Sequence, residues 1–121
     1  MIIKEKGTNI EITQEIRQYL YKKLEHLKKF INPTDGGTLC EVEIGRTTVH
    51  HKNGDIFRTE INLRFAGKNL RAVSEKDELF ASIDLAKDEM MSGLKAVKEK
   101  SVSKARKGEL KIKKMKKNII N

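Results

Sequence analysis

Apolar positions recur along the chain in two periods, and the change from one to the other marks its elements. Ile2 and Ile3 open a short run ending at Gly7 that reads as a strand, with Glu5 interrupting the alternation on one face. Ile16, Leu20, Leu24, Leu27 and Ile31 then return at steps of three and four, the spacing of one helical face, behind Thr13, whose hydroxyl suits an N-cap. Pro33 disfavours a helical residue before it, so the helix is expected to end near Asn32, and Asp35, Gly36 and Gly37 continue the break. Cys40, Val42 and Ile44 alternate with Glu41 and Glu43, the period of a half-buried strand. Phe57, Thr59, Ile61, Leu63 and Phe65 oppose Arg58, Glu60, Asn62 and Arg64 in the clearest strand of the chain, and Asn53-Gly54 before it suits a hairpin turn. Gly67-Lys68 turns that strand into a shorter one carrying Leu70, Ala72 and Ser74. Ser74 followed by Asp77 resembles a helix cap, and Glu75, Asp77 and Glu78 put negative charge where a helix start favours it. Leu79, Phe80, Ile83, Ala86, Met90, Leu94 and Val97 trace a second buried stripe that fades near Lys100.

The order β-α-β-β-β-α predicts an α+β fold with two helices packed on one face of a four-stranded mixed sheet. A right-handed crossover makes strands one and two parallel, and the other sheet face meets solvent or a partner. With 121 residues, 37% hydrophobic and 5% aromatic, there is room for one domain with a small aliphatic core. That domain is expected at 1–100, followed by a basic, flexible tail at 101–121.

Charge adds to this picture. The chain carries 26 Lys and Arg against 17 Asp and Glu, a formal +9, which favours anionic partners. Residues 101–121 hold eight cations against Glu109 alone, whereas residues 1–100 hold 18 against 16, so surface clustering in the domain must be local. The tail reads either as a solvated extension or as an arm along nucleic acid, with Lys104, Arg106 and Lys107 as its contacts. Arg17, Lys22, Lys23, Lys28 and Lys29 on the first helix, Lys68 and Arg71 near the last hairpin, and Lys87, Lys95, Lys98 and Lys100 on the second helix are the candidate RNA-binding residues. The bland alternative is an ordinary charged helix surface laced with Glu25, Asp84, Asp88 and Glu99.

Catalytic chemistry finds no support. His50 and His51 are neighbours on an extended chain, point in opposite directions and lack a third ligand, so no metal is expected. Cys40 sits at a core position of its strand, and no carboxylate pair or glycine-rich phosphate loop appears. Met90-Met91 reads as core filling. Tyr19, Tyr21 and the four Phe are mostly claimed by element interiors, so base stacking is poorly supported and recognition is expected to rest on phosphate contacts and shape. No enzyme activity, cofactor or small-molecule substrate is expected. No stretch approaches the roughly 18 to 20 apolar residues of a membrane span, the start lacks a signal-peptide core, and one Cys cannot staple the fold, so a cytoplasmic protein without membrane contact is expected.

Three stretches carry a family resemblance: Gly-Thr-Asn-Ile-Glu-Ile-Thr-Gln-Glu-Ile-Arg at 7–17, Lys-Lys-Leu-Glu-His-Leu at 22–27, and Asp-Glu-Leu-Phe-Ala-Ser-Ile-Asp at 77–84. With the element order, residues 1–100 resemble the short form of the bacterial ribosome hibernation factors, the group containing protein Y and the hibernation promoting factor. The resemblance implies a monomeric plug in the mRNA and tRNA channel of the small ribosomal subunit, held by basic helix residues on 16S rRNA. It implies binding to the 30S subunit or the 70S ribosome, inhibition of translation, and protection of dormant ribosomes under stress. Glu89, Ser92 and Ala96 stand where basic residues are common in the family, leaving Lys95, Lys98 and Lys100 as the matches on the second helix. Residues 101–121 do not resemble the dimerising domain of long family members, so ribosome pairing is not expected of this chain alone. A general module of the double-stranded-RNA-binding type is the alternative.

Overall fold

The structure, a computed structural model, describes the backbone at 1–32, 37–49 and 54–120, and the side chains of those residues except Val49 and 101–120. Its elements are β1 (Ile2–Thr8), α1 (Gln14–Glu25), a 3-10 turn (His26–Phe30), β2 (Leu39–Val49), β3 (Gly54–Phe65), β4 (Lys68–Lys76) and α2 (Leu79–Ile120). The strands form one sheet in the order β1-β2-β3-β4. β1 pairs with β2 in parallel, Ile3 beside Cys40, and the remaining pairs are antiparallel. The α+β arrangement expected from the hydrophobic pattern is the one observed.

Both helices cover the sheet face that carries Cys40, Val42, Ile44, Ile61, Leu63, Phe65 and Ala72, all buried. Ile16, Leu20, Leu24 and Leu27 fill this layer from α1 and the 3-10 turn, and Ile83, Ala86, Met90 and Leu94 from α2. Deleting any one of the wholly buried leucines to Ala costs about 2–5 kcal/mol, because transfer energy is lost and a cavity is left. Glu5 faces the same layer, and its interruption of β1 has a cause: its carboxylate pairs with Arg17 of α1.

The entry to α1 depends on a close approach. A Cβ on Gly7 would run into the carbonyl oxygen of Ile10, and Asn9 adopts a positive φ of 58° as the chain doubles back. Thr13 then caps α1 as expected, its hydroxyl oxygen accepting from the Ile16 amide at 3.3 Å. The helical stripe continues beyond Glu25, but as the 3-10 turn to Phe30, with Leu27 still buried.

Other boundaries also differ from the expected ones. The β3–β4 turn is Ala66-Gly67, both at positive φ, and Phe65 pairs with Lys68, which places Lys68 in β4. The start of α2 is capped by Glu78, whose carboxylate oxygens accept from the Phe80 amide at 3.1 Å and the Ala81 amide at 2.7 Å. Ser74 is not a cap: it is buried in β4, and its hydroxyl donates to the Ser82 carbonyl. The hairpin turn expected at Asn53-Gly54 lies outside the described residues in part. The backbone of α2 continues past Lys100 to Ile120. No described helix is long and apolar enough to cross a membrane.

A candidate nucleic-acid interface

Contacts between the helices advance in the same direction along both, so α1 and α2 run parallel. Tyr19 meets Phe80 with ring centroids 4.6 Å apart, its phenol donates to Asp84 at 2.7 and 2.9 Å, and Lys95 lies 5.9 Å from the Phe30 ring. The lysines of both helices therefore stand on the helical side of the molecule.

Their availability differs. Lys22, Lys29, Lys98 and Lys100 are exposed and make no ion pair among the described residues. Lys95 is also exposed, and its ammonium lies over the Phe30 ring. Lys28 pairs with Glu25 at 2.7 Å, an exposed contact worth about 0–1 kcal/mol, so a phosphate competes for it at small cost. Lys23 is more constrained, lying 3.3 Å from Asp84 and 5.2 Å from the Tyr19 ring centre. Lys87 contacts Asp88 at 2.6 Å and is mostly buried, and Arg17 is engaged by Glu5.

The two last-hairpin residues lie on opposite faces of the sheet. Lys68 is exposed at the first position of β4. Arg71 projects from the opposite sheet face, where it pairs with Glu60, and Arg58 reaches Glu60 at 3.7 Å and Glu75 at 4.0 Å. These four side chains form a small ion network, and the same face holds a depression of about 430 Å3 bordered by Glu41, Asn62, Arg64, Asn69 and Arg71. The α1 and α2 lysines share the helical side of the molecule, and Arg71 stands apart from them on the other sheet face. Lys104, Arg106 and Lys107 lie outside the residues whose side chains are described.

Other reactive groups are tied down. Burial pushes the Cys40 thiol up to about 11, which removes the thiolate a nucleophile needs. The hydrogen bond to Asp84 pushes the Tyr19 phenol up to about 12, so it stays a donor and its ring stays fixed. Among the described residues no three His, Cys, Asp or Glu side chains gather to hold a metal ion, and His50 and His51 lie outside the described residues. Sequence reasoning missed two features. Asp84 is the anion that engages both Tyr19 and Lys23, and Tyr19 with Phe80 forms part of a second depression, of about 420 Å3, with Glu15, Gln18 and Lys22. Tyr21, expected in an interior, is exposed.

Comparison with known proteins agrees with this architecture. A family model described as sigma 54 modulation protein / S30EA ribosomal protein matches residues 3–102. The ribosome hibernation promotion factor of a Picosynechococcus strain is 32% identical over 102 residues, covering 81% of this chain and 49% of the relative. That of Deinococcus radiodurans is 28% identical over 102 residues, covering 84% and 51%. The chain thus spans about half the length of these curated relatives. Among solved structures, the Thermus thermophilus protein Y N-terminal domain superposes with a TM-score of 0.67 at 33% identity, covering 80% of this chain and 99% of that one. A ribosomal subunit interface protein from Coxiella burnetii shares the fold, with a TM-score of 0.64 at 19% identity and coverage of 82% and 99%.

Proposed function

The chain belongs to the sigma 54 modulation protein / S30EA ribosomal protein family, and from that premise we propose that it is a non-catalytic ribosome-binding factor that inhibits translation. Its helical side lies along 16S rRNA in the small subunit, and its body fills space in the channel that mRNA and tRNA require. Curated relatives of this chain are ribosome hibernation promotion factors, which supports a role in keeping idle ribosomes dormant in the bacterial cytoplasm.

The observation that carries the proposal is a set of exposed lysines on the helical side that no carboxylate among the described residues engages. Lys22, Lys29, Lys95, Lys98 and Lys100 make no ion pair among the described residues, whereas Arg58 and Arg71 on the other face are engaged by Glu60 and Glu75. Unmatched ammonium groups release counterions from a phosphate backbone, each adding a modest increment that falls with salt. A rigid body held this way excludes tRNA by occupying volume and needs no bond-making chemistry.

Gradient sedimentation of the chain mixed with 30S subunits or 70S ribosomes tests the proposal. Co-migration at moderate salt that disappears at high salt is the expected result. A protein left at the top of the gradient overturns it, and equal affinity for arbitrary RNA hairpins transfers the reading to a general structured-RNA-binding module.

A further inference from the structure

We propose that the corner between α1 and the first turn of α2 is a pocket for one unstacked nucleobase, with a preference for guanine. This deepens the ribosome-binding reading and rests on it for the identity of the RNA.

The Tyr19 and Phe80 rings meet at an interplanar angle of 71°, so a flat ring lying against one meets the other nearly end-on. That corner is preorganised. Asp84 holds the Tyr19 phenol through both carboxylate oxygens, and the Lys23 ammonium sits 5.2 Å from the ring centre. The depression in front of it, about 420 Å3, has an aromatic wall and a polar margin of Glu15, Gln18 and Lys22. These three are exposed and recur at helical spacing along one side of α1, so the margin is presented as a unit.

Each part matches a part of a nucleotide. Bases splayed from single-stranded RNA stack on aromatic side chains and are read along their Watson–Crick edges. Lys22 supplies the cation for the attached phosphate. Glu15 accepts hydrogen bonds only, and guanine offers two adjacent donors, the ring N–H and the amino group, to the two oxygens of one carboxylate. Uracil presents one ring donor flanked by carbonyl oxygens that the carboxylate repels. Gln18, both donor and acceptor, reaches the remaining edge without imposing a choice. A phosphate alone gains little here, because Glu15 opposes it.

The test uses the whole chain and small probes. Guanosine 5′-monophosphate, uridine 5′-monophosphate and inorganic phosphate are titrated separately while the ring resonances of Tyr19 and Phe80 are followed by NMR. Guanosine monophosphate is expected to shift both rings, uridine monophosphate to do so several-fold more weakly, and inorganic phosphate to leave them in place. Phe80→Leu keeps apolar volume and removes the stacking face, and is expected to weaken guanosine monophosphate about fivefold or more. Glu15→Gln alters an exposed side chain, so folding is not at risk, and is expected to narrow the gap between the two nucleotides. Rings that respond alike to all three probes, or a Glu15→Gln variant with unchanged discrimination, overturn the pocket. A chain that co-sediments with 30S subunits while its rings ignore nucleotides loses this inference alone. A chain whose rings respond but which stays at the top of the gradient loses the ribosome reading alone.

Discussion

The phenol of Tyr19 donates to both carboxylate oxygens of Asp84, at 2.7 and 2.9 Å, and the same carboxylate holds the Lys23 ammonium at 3.3 Å. One anion thus fixes an aromatic ring and withdraws a cation from the surface. Asp84→Asn is expected to release Lys23 to phosphate. Binding to 30S subunits across a salt series should show a slope steeper by about 0.7–0.9. The thermal midpoint should fall modestly, since the phenol exchanges a charged acceptor for a neutral one. An unchanged slope means that Lys23 does not reach RNA.

Lysines that stand next to each other in sequence are expected to differ in effect. Lys29→Ala should weaken ribosome binding more than Lys28→Ala, because Lys28 is already engaged by Glu25. Replacing Lys22 and Lys29 together, or Lys95 and Lys98 together, should weaken binding by about 1 kcal/mol or more and flatten the salt dependence. Arg71→Ala, on the far face, should leave both quantities near their starting values. Titrations at three or more salt concentrations distinguish these outcomes, and a loss for Arg71→Ala as large as that for Lys29→Ala would identify the wrong face.

A buried polar joint ties α2 to the sheet. The Ser82 hydroxyl donates to the Leu79 carbonyl at 2.6 Å, so its contact with Thr59, at 2.8 Å, must have Thr59 as the donor. Ser82→Ala strands the Thr59 donor in the core and is expected to cost about 1–3 kcal/mol. Thr59→Val with Ser82→Ala should cost less than the two single changes combined, by about 0.5 kcal/mol or more. Denaturant unfolding of the four proteins completes the cycle, and strict additivity removes the joint.

Alkaline titration should weaken the fold. Cys40 is raised from 9.0 to about 11 by burial, and Tyr19 from 10.0 to about 12 by Asp84. Above pH 9 the unfolded chain releases these protons first and the folded chain retains them, so the folded state binds more protons and stability falls as pH rises. The contribution is complete below pH 9 and lost by about pH 12. Melts of Cys40→Ala and Tyr19→Phe should decline less steeply across their own parts of that window. Thiol labelling of the native chain at pH 8 should be slow and governed by unfolding.

The fold was largely legible because one sheet face is buried: a period of two in β3 and periods of three and four in both helices follow directly from that burial. The start of α2 was less legible. Val73 sits on the open face and Ser74 on the buried one, so composition there did not indicate that β4 continues to Lys76 before Glu78 takes the cap. At the candidate site, residue types were visible but partnerships were not. Asp84 lies 65 positions from Tyr19, and Glu60 finds Arg71 on a diagonal of the β3–β4 register, where Asn62 is the direct neighbour. Such pairings exist only after the chain is folded, and they decide which cations remain free.

The parallel pairing of β1 with β2 encloses the whole of α1, whereas β3 and β4 are joined by a two-residue turn. Closing the larger loop costs more chain entropy, so the β3–β4 pairing is the less costly one to form and the β1–β2 pairing the more costly. Changes at Thr13, which starts that helix, and at Gly7, which lets the chain double back towards it, are therefore expected to slow the compaction of a newly made chain as well as loosen the finished one.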